Sequence, residues 1–331
     1  MNKRVLAQKT LLFGGMTAAL ILLILLAAGV GSSWISPREI AEGLWYGDSK
    51  TQVIILNLRL PRILIALLTG AALAVSGALL QAVMRNPLAD PGIIGVSAGA
   101  AAAATSVLLL FPFLLKSLPL AAFAGAIFAC GLIYLMAWQR GIDPLRIVLS
   151  GVAINTVLGA YTSFLQLLNA DNLVSVLGFL NGSLSGRNWE HVETVTIYVG
   201  IGLVLAFACS KGADILQLGD EMATGLGVNA NRIRLLLSGV GAFLAAATVS
   251  VAGLIGFVGL VVPHMARMMG GSGHRTLLPL SALLGAFTLL LADTVGRILV
   301  TGMEIPVGVI MAVTGGPFFL YMLRRSRNGG I

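Results

Sequence analysis

The sequence has little charge, few aromatic residues and almost no cysteine. Only 10% of its 331 residues are charged, while 57% are hydrophobic; a soluble domain carries about 25% charged residues. So little charge cannot cover a surface in contact with water, which excludes an ordinary soluble protein. The two cysteines, Cys130 and Cys209, lie within apolar runs. This excludes a disulfide framework and a CxxC metal site.

The motifs of nucleotide chemistry and metal catalysis are also missing. There is no GxxxxGK[ST] phosphate loop, no HExxH and no metal-spaced cluster among the three histidines. The GxG at Gly225 to Gly227 favours a helix C-cap over a nucleotide loop. We therefore predict no catalytic residue, no metal, no cofactor bound by this chain and no enzymatic activity. The net charge of +8 does not require nucleic acid, because membrane proteins accumulate lysine and arginine on their cytoplasmic side.

Long uncharged runs are what the chain has instead. A membrane-crossing helix needs about 20 apolar residues, and apolar runs between charges and Gly/Pro punctuation give ten such segments. The sequence thus predicts an all-α polytopic membrane protein, with one domain over residues 1–331. The predicted spans lie near 11–31, 61–83, 92–111, 119–139, 145–168, 192–210, 235–252, 254–270, 277–297 and 306–323.

Two of these assignments have alternatives. Basic residues before the first run resemble the start of a signal peptide, but nine similar segments follow, which favours a first transmembrane helix. The spans at 235–252 and 254–270 could form one long helix, yet their joint length favours two.

Several local patterns support these boundaries. Asp90-Pro91 and Asp143-Pro144 each place an N-cap acceptor before a proline at the first helical position. Ser36 to Glu39 matches a capping box. Gly70 and Gly77 recur at helical spacing, which predicts close approach of neighbouring helices.

The distribution of lysine and arginine orients the chain. With the N-terminus inside, fourteen of the 21 basic residues fall on the cytoplasmic side, which predicts cytoplasmic N- and C-termini. The seven predicted to be external are Arg38, Lys50, Arg59, Arg62, Lys116, Arg187 and Arg297.

The acidic residues avoid the centres of the predicted spans. An ion-coupled secondary transporter usually keeps acids there to bind protons or sodium, so this function is disfavoured. Asp293 lies near the external end of the ninth span, four residues before Arg297, and this spacing favours an ion pair on one helix. A polytopic membrane enzyme is a second alternative, disfavoured because no catalytic pair is present.

Polar residues within the spans are mainly amides and hydroxyls. Taken singly, each favours a hydrogen bond between helices. Taken together, they predict a weakly polar lining along which a bulky polar solute could slide. These residues are Ser76, Gln81, Asn155, Thr156, Thr162 and Gln166.

Two surface segments favour partner docking. The segment 216–229 has helix-starting acids, apolar Met222 and Leu226, and glycine stops, which is typical of a short amphipathic helix; a plain connector is the alternative. Arg59-Leu60-Pro61-Arg62 places two arginines at the mouth of the second span. They are either interface anchors or, because they oppose the positive-inside bias, contacts for an acidic external partner.

Together these segments resemble the permease subunits of ABC importers for iron-siderophores, haem and vitamin B12, which have the type II importer fold. The matching segments run in order over almost the whole chain. They are Arg59 to Arg62; Ser76 to Gln81 with Arg85 to Pro91 and Gly95 to Gly99; Gly256 to His264; Ala292 to Thr294 with Arg297; and Glu304 to Gly308 with Gly316 to Phe319.

The resemblance implies a ferric siderophore as substrate, with haem or vitamin B12 as alternatives, in a bacterial inner membrane. It implies a second permease subunit of either the same or a related chain, two ATPase subunits that bind ATP and magnesium, and an external solute-binding protein. Docking of the binding protein would involve Arg59, Arg62 and Arg297. A coupling helix at 219–229 would seat in the ATPase through Asp220, Glu221, Ala223, Leu226 and Gly227. The translocation path or its gate would include Gln81, Asn86, Asn155 and Thr156.

Overall fold

A computed structural model describes residues 3–31, 34–36, 38–40, 49–139, 141–300 and 302–328. Within these ranges the backbone forms helices, turns and two isolated β-bridges, with no strand, which confirms the all-α class. Pro37, within the predicted capping box from Ser36 to Glu39, lies outside the described residues, as does Arg140, one of the fourteen basic residues predicted to be cytoplasmic.

The described residues form helices along most of their length. In chain order they are α1 (Lys3–Gly29), α2 (Ser49–Val53), α3 (Leu60–Met84), α4 (Val96–Leu110), α5 (Leu118–Ala137), α6 (Pro144–Leu168), α7 (Leu173–Leu180), α8 (Trp189–Ala208), α9 (Ser210–Gln217), α10 (Asp220–Gly225), α11 (Ala230–Ala252), α12 (Val258–Gly270), α13 (His274–Ile298) and α14 (Val307–Asn328). A π-helical turn, Ile54–Arg59, joins α2 to α3.

Seven of the described helical segments are long and apolar enough to cross a membrane, so the chain is a multi-pass membrane protein. They are Ala7–Gly29, Lys50–Met84, Pro112–Ala137, Pro144–Leu168, Trp189–Ala208, Ala230–Ala252 and His274–Ile298. Two shorter apolar helices are Val96–Leu110 and Val307–Tyr321, and α12 has 13 residues. Each of the ten predicted spans overlaps one helix, but the count of ten and the cytoplasmic termini stay predictions.

A break in the backbone separates α11 from α12. Gly253, the C-cap of α11, has φ 73°, and Phe257, the N-cap of α12, has φ 67°; positive φ at either residue is incompatible with a continuous right-handed helix. The chain therefore turns between the segments 235–252 and 254–270 instead of continuing as one helix.

The core is centred on α3, which packs against α13, α12 and α11. A Cβ atom at Gly70 would lie 2.2 Å from the Gly285 carbonyl oxygen, and one at Gly77 would lie 1.9 Å from the Gly259 carbonyl oxygen. Only glycine permits such backbone contact, which confirms the close approach predicted from the spacing of Gly70 and Gly77.

Helix α6 is far less enclosed than α3. In its most apolar 18-residue stretch only 17% of the residues are buried, against 78% in α3. Such a bare helix, which carries Asn155, Thr156 and Thr162 among its apolar residues, offers a face to lipid or to a second chain.

The predicted caps form. Asp143 Oδ1 accepts a hydrogen bond from Leu145 N at 2.9 Å at the start of α6, and Asp90 Oδ1 accepts one from Gly92 N at 2.8 Å. Asp90 caps a 3₁₀ turn, Pro91–Ile94, that precedes α4. Ser36 and Glu39 exchange reciprocal bonds at 2.7 and 3.2 Å, as a capping box requires.

Candidate functional site

Charged residues gather at the two ends of α3. The arginine cluster, at the first turn of α3, consists of Arg59, Arg62, Asp293, Arg297 and Glu304. The start of α10 lies near the other end of α3. Gly219 directly precedes α10 and Arg85 directly follows α3, and a Cβ atom added at Gly219 would lie 3.4 Å from Arg85 Nη1.

Arg62 is the centre of the arginine cluster. Its Nε lies 3.0 Å from both carboxylate oxygens of Asp293 and its Nη2 lies 2.9 Å from Asp293 Oδ1. Its Nη1 donates to Glu304 Oε2 at 2.8 Å. One guanidinium thus joins α3 to α13 and to the segment before α14, in the bidentate geometry that suits arginine and carboxylate.

The other two arginines bind the end of α1. Arg59 Nη1 donates to Ala28 O at 2.6 Å, and Arg297 Nη1 donates to Ala27 O and Val30 O at 3.3 and 3.1 Å. The last carbonyl groups of a helix lack intrahelical partners and carry partial negative charge. The two guanidinium groups therefore cap α1 and hold it against α3 and α13.

All three arginines predicted to dock the binding protein are nearly buried in this chain: Arg59, Arg62 and Arg297 are 6%, 9% and 7% exposed. Asp293 also contacts Arg297, with 3.4 Å between Arg297 Nε and Asp293 Oδ2, so the predicted pair on one helix exists. Sequence reasoning missed that Asp293 is bound more closely by Arg62. Three guanidinium groups and two carboxylates therefore lie together at this end of α3.

Glu304 is the accessible acid of the cluster, with 41% of its side chain exposed. Partial burial acts to raise the pKa of Glu304, but the hydrogen bond and positive charge of Arg62 outweigh it. The pKa of this carboxyl therefore lies below its ordinary value of 4.5.

Helix α10 occupies part of the predicted coupling segment 219–229. Asp220 and Glu221 lie in its first turn, where acids are favoured by the helix dipole. Gly227, with φ 75°, follows the helix; Gly227 N donates to Thr224 O at 2.9 Å and Val228 N to Ala223 O at 3.0 Å. This pair of bonds is a Schellman motif, which explains the glycine as a C-cap.

The two faces of α10 differ. Ala223 is fully buried beneath the helix, whereas Met222 and Leu226 are each 59% exposed. An open groove of about 470 Å³ lies beside it and is lined by Asp220, Thr224, Gly227, Val228, Asn229, Ala230 and Asn231. Exposed apolar side chains beside a groove are what a docking helix presents to a partner.

Arg234 attaches α10 to the helix bundle. Its Nη2 donates to Asp220 Oδ1 at 2.8 Å, and its Nη1 donates to Ile142 O at 2.7 Å. Sequence reasoning counted Arg234 only as a charge that orients the chain. No local pattern predicts these contacts, because the partners are 14 and 92 residues away in sequence.

The four predicted path residues lie in different environments. Gln81 is 2% exposed; its Nε2 lies 3.2 Å from Gly259 O and its Oε1 accepts from Arg267 Nη2 at 2.5 Å. Asn155 Nδ2 donates to Gly92 O at 3.0 Å, while Asn86 and Thr156 are exposed. In this chain Gln81 therefore ties α3 to α12, and the exposed pair lies on the outside of the bundle.

The described residues contain no group of three or more His, Cys, Asp or Glu side chains placed to hold a metal ion.

The comparisons with known proteins agree on one family. The sequence profile of the FecCD transport family matches residues 19–325. The Fe(3+)-citrate import system permease protein YfmE of Bacillus subtilis (strain 168) is 41% identical over 327 residues, covering 98% of each chain. The cobalamin import system permease protein BtuC of Halobacterium salinarum (strain ATCC 700922 / JCM 11081 / NRC-1) is 45% identical over 286 residues, which cover 86% of this chain and 77% of the relative.

A solved structure shares the whole fold. It is described as an inward-facing conformation of a metal-chelate type ABC transporter, and it aligns with a TM-score of 0.87 and 32% identity over 95% of this chain and 99% of that chain. The predicted resemblance to ABC import permeases is therefore confirmed.

Proposed function

The chain belongs to the FecCD transport family, and on that premise we propose that it is the permease subunit of a bacterial ABC importer for a ferric siderophore. The permease lies in the cytoplasmic membrane and binds no nucleotide. Separate ATPase subunits bind ATP and magnesium and drive the import. The observation that carries this proposal is the 41% identity to an Fe(3+)-citrate import permease over 98% of both chains. Haem and vitamin B12 are the alternative substrates.

Three surfaces serve three partners. The exposed face of α6 meets a second permease subunit, so that the path forms between two copies of α6, with Asn155 and Thr156 on its walls. The groove beside α10 receives an ATPase subunit. The rim of the arginine cluster receives acidic side chains of the loaded binding protein, because three arginines lie together there and opposite charges steer a partner to its docking surface.

An ion-coupled carrier is a weaker candidate. Such a carrier needs an acid that can change protonation within the membrane, and the best-placed one, Asp293, is 1% exposed and held by Arg62 at 2.9 Å. Both carboxylate oxygens of Asp293 are taken up by Arg62, so this acid serves a contact between helices and not an ion pathway.

Uptake into proteoliposomes tests the function. The chain is reconstituted with its ATPase and binding protein, and import of a radioactive ferric siderophore is measured with ATP inside, with an ATPase that cannot hydrolyse ATP as the control. We expect uptake that requires hydrolysis and persists with an uncoupler. Uptake without the ATPase that collapses with an uncoupler would overturn the proposal. Competition by excess ferric siderophore, but not by haem or cobalamin, would separate the substrates.

A further inference from the structure

Arg234 is a charged residue in a buried position, and its burial needs a physical explanation. The residue is 0% exposed, and taking a guanidinium out of water costs several kcal/mol unless its partners are well placed. Its two hydrogen bonds join segments that are otherwise separate, because Asp220 belongs to α10 and Ile142 to the connection before α6. If this position only packed α11 against its neighbours, an apolar side chain would serve.

The peptide of Ile142 is held on both sides. Its carbonyl accepts from Arg234, and its N–H donates to Asn231 Oδ1 at 3.1 Å. Ile142 is 4% exposed and directly precedes Asp143, the N-cap of α6. Two side chains from the first turns of α11 therefore fix the N-terminus of α6.

The two ends of this connection differ in what surrounds them. Asp220, with 48% of its side chain exposed, begins the helix that carries Met222 and Leu226 into solvent. At the other end, α6 is largely bare along its length and carries the polar residues of the proposed path. Arg234 thus lies between a short helix with exposed apolar side chains and the start of a helix in which few residues are buried.

We propose that Arg234 is a positioning residue that transmits displacement of α10 to the N-terminus of α6, through Asp220 on one side and the Ile142 peptide on the other. The inference rests on the proposed function, since it assumes that an ATPase moves α10. Because the connection consists of short hydrogen bonds, a shift of α10 carries the start of α6 with it.

Measurements on the transporter, reconstituted with its ATPase and binding protein, test this inference. Two quantities are measured: solute imported per ATP hydrolysed, and the ATP-dependent signal of a fluorophore on Leu145→Cys. Leu145, 64% exposed, lies in the first turn of α6, and the native Cys130 and Cys209 are first replaced by alanine.

Asp220→Asn keeps the shape of the side chain but replaces a charge-assisted hydrogen bond with Arg234 by a weaker neutral one. We expect import per ATP to fall about tenfold, within the usual range for a coupling between sites, with ATP hydrolysis within about twofold of the parent and the α6 signal reduced. Asn231→Ala, which frees the other side of the Ile142 peptide, should give the same pattern. Arg232→Gln removes an exposed charge from the same turn of α11 and should change neither readout.

Arg234→Gln should uncouple most strongly, but it also changes a fully buried residue on which packing depends, so the inference is decided by Asp220→Asn and Asn231→Ala. Unchanged import per ATP and an unchanged α6 signal in both would overturn it. Loss of ATPase binding in Asp220→Asn would also overturn it, because Asp220 would then serve docking alone. Failure of the proposed function is distinct: the parent chain itself would show no ATP-driven import.

Discussion

In the arginine cluster three guanidinium groups are buried against carboxylates and helix carbonyls. At the other end of α3 the acids of α10 are exposed, and the buried Arg234 binds one of them, Asp220. The first arrangement locks α1, α3 and α13 together. The second leaves a short helix supported from below by Ala223 and Arg234. The difference suggests a rigid end that orients a partner and a movable end that responds to one.

The largest expected effect concerns the rigid end. Arg62→Ala leaves Asp293, 1% exposed, without its main counter-charge, and breaking a buried pair on one side costs about 3–5 kcal/mol. We expect a strong drop in unfolding temperature of the purified protein in detergent. Lys116→Ala, at an exposed lysine, is the control and should unfold like the parent. Equal unfolding temperatures for both variants would show that the cluster is not a lock.

The next effect concerns the support of α10. Ala223 is 0% exposed, so Ala223→Leu overpacks the site at about 1–3 kcal/mol and lifts the helix, which should uncouple ATP hydrolysis from import. Gly225→Leu adds the same side chain where a Cβ atom meets nothing within 4 Å, and should unfold like the parent. Normal import per ATP in Ala223→Leu would place the moving element elsewhere.

A third, smaller effect separates docking from stability. Met222→Ala with Leu226→Ala removes the exposed apolar face of α10, and we expect the affinity for the ATPase subunit to fall about tenfold, since central apolar contacts carry over 1 kcal/mol each. The unfolding temperature should not change, which is the reverse of Arg62→Ala. Titration of the ATPase onto reconstituted permease measures the affinity. An unchanged affinity would mean that the partner seats on other residues.

The all-helical fold and its caps could be predicted because they depend on local patterns. Uncharged runs mark the helices, Asp143 marks the start of α6, and Gly70 with Gly77 marks the close packing of α3. Helix lengths were less predictable: α12 has 13 residues because the chain turns between Gly253, which ends α11, and Phe257, which precedes α12, and both have positive φ values.

The site was predictable as a set of segments but not as a set of contacts. Counting charges identified Arg59, Arg62 and Arg297 as unusual, yet a count cannot show that Asp293, Glu304 and the carbonyls of α1 bind them. Arg234 was indistinguishable from the other orienting charges, because its significance lies in two partners remote in sequence. Their roles in docking and coupling stay predictions that the variants above test.

The smallest effect concerns Glu304, the accessible acid of the arginine cluster. Because it is accessible, its pair with Arg62 contributes less than about 1 kcal/mol, so Glu304→Gln should barely alter the unfolding temperature at neutral pH. The pKa of Glu304 is lowered from 4.5. The contribution of the pair is therefore fully present above that value and is lost as pH falls through the folded-state pKa. Glu304→Gln should remove this part of the acid sensitivity.

The same variant asks whether Glu304 competes with the binding protein for Arg62. If it does, Glu304→Gln frees Nη1 for an acidic partner, and docking should strengthen by a few-fold at low salt and less at high salt, where exposed charges are screened. Binding of the loaded binding protein to reconstituted permease at two ionic strengths measures this. Unchanged docking at low salt would mean that Arg62 acts only within this chain, and the rigid end would then be a structural lock and nothing more.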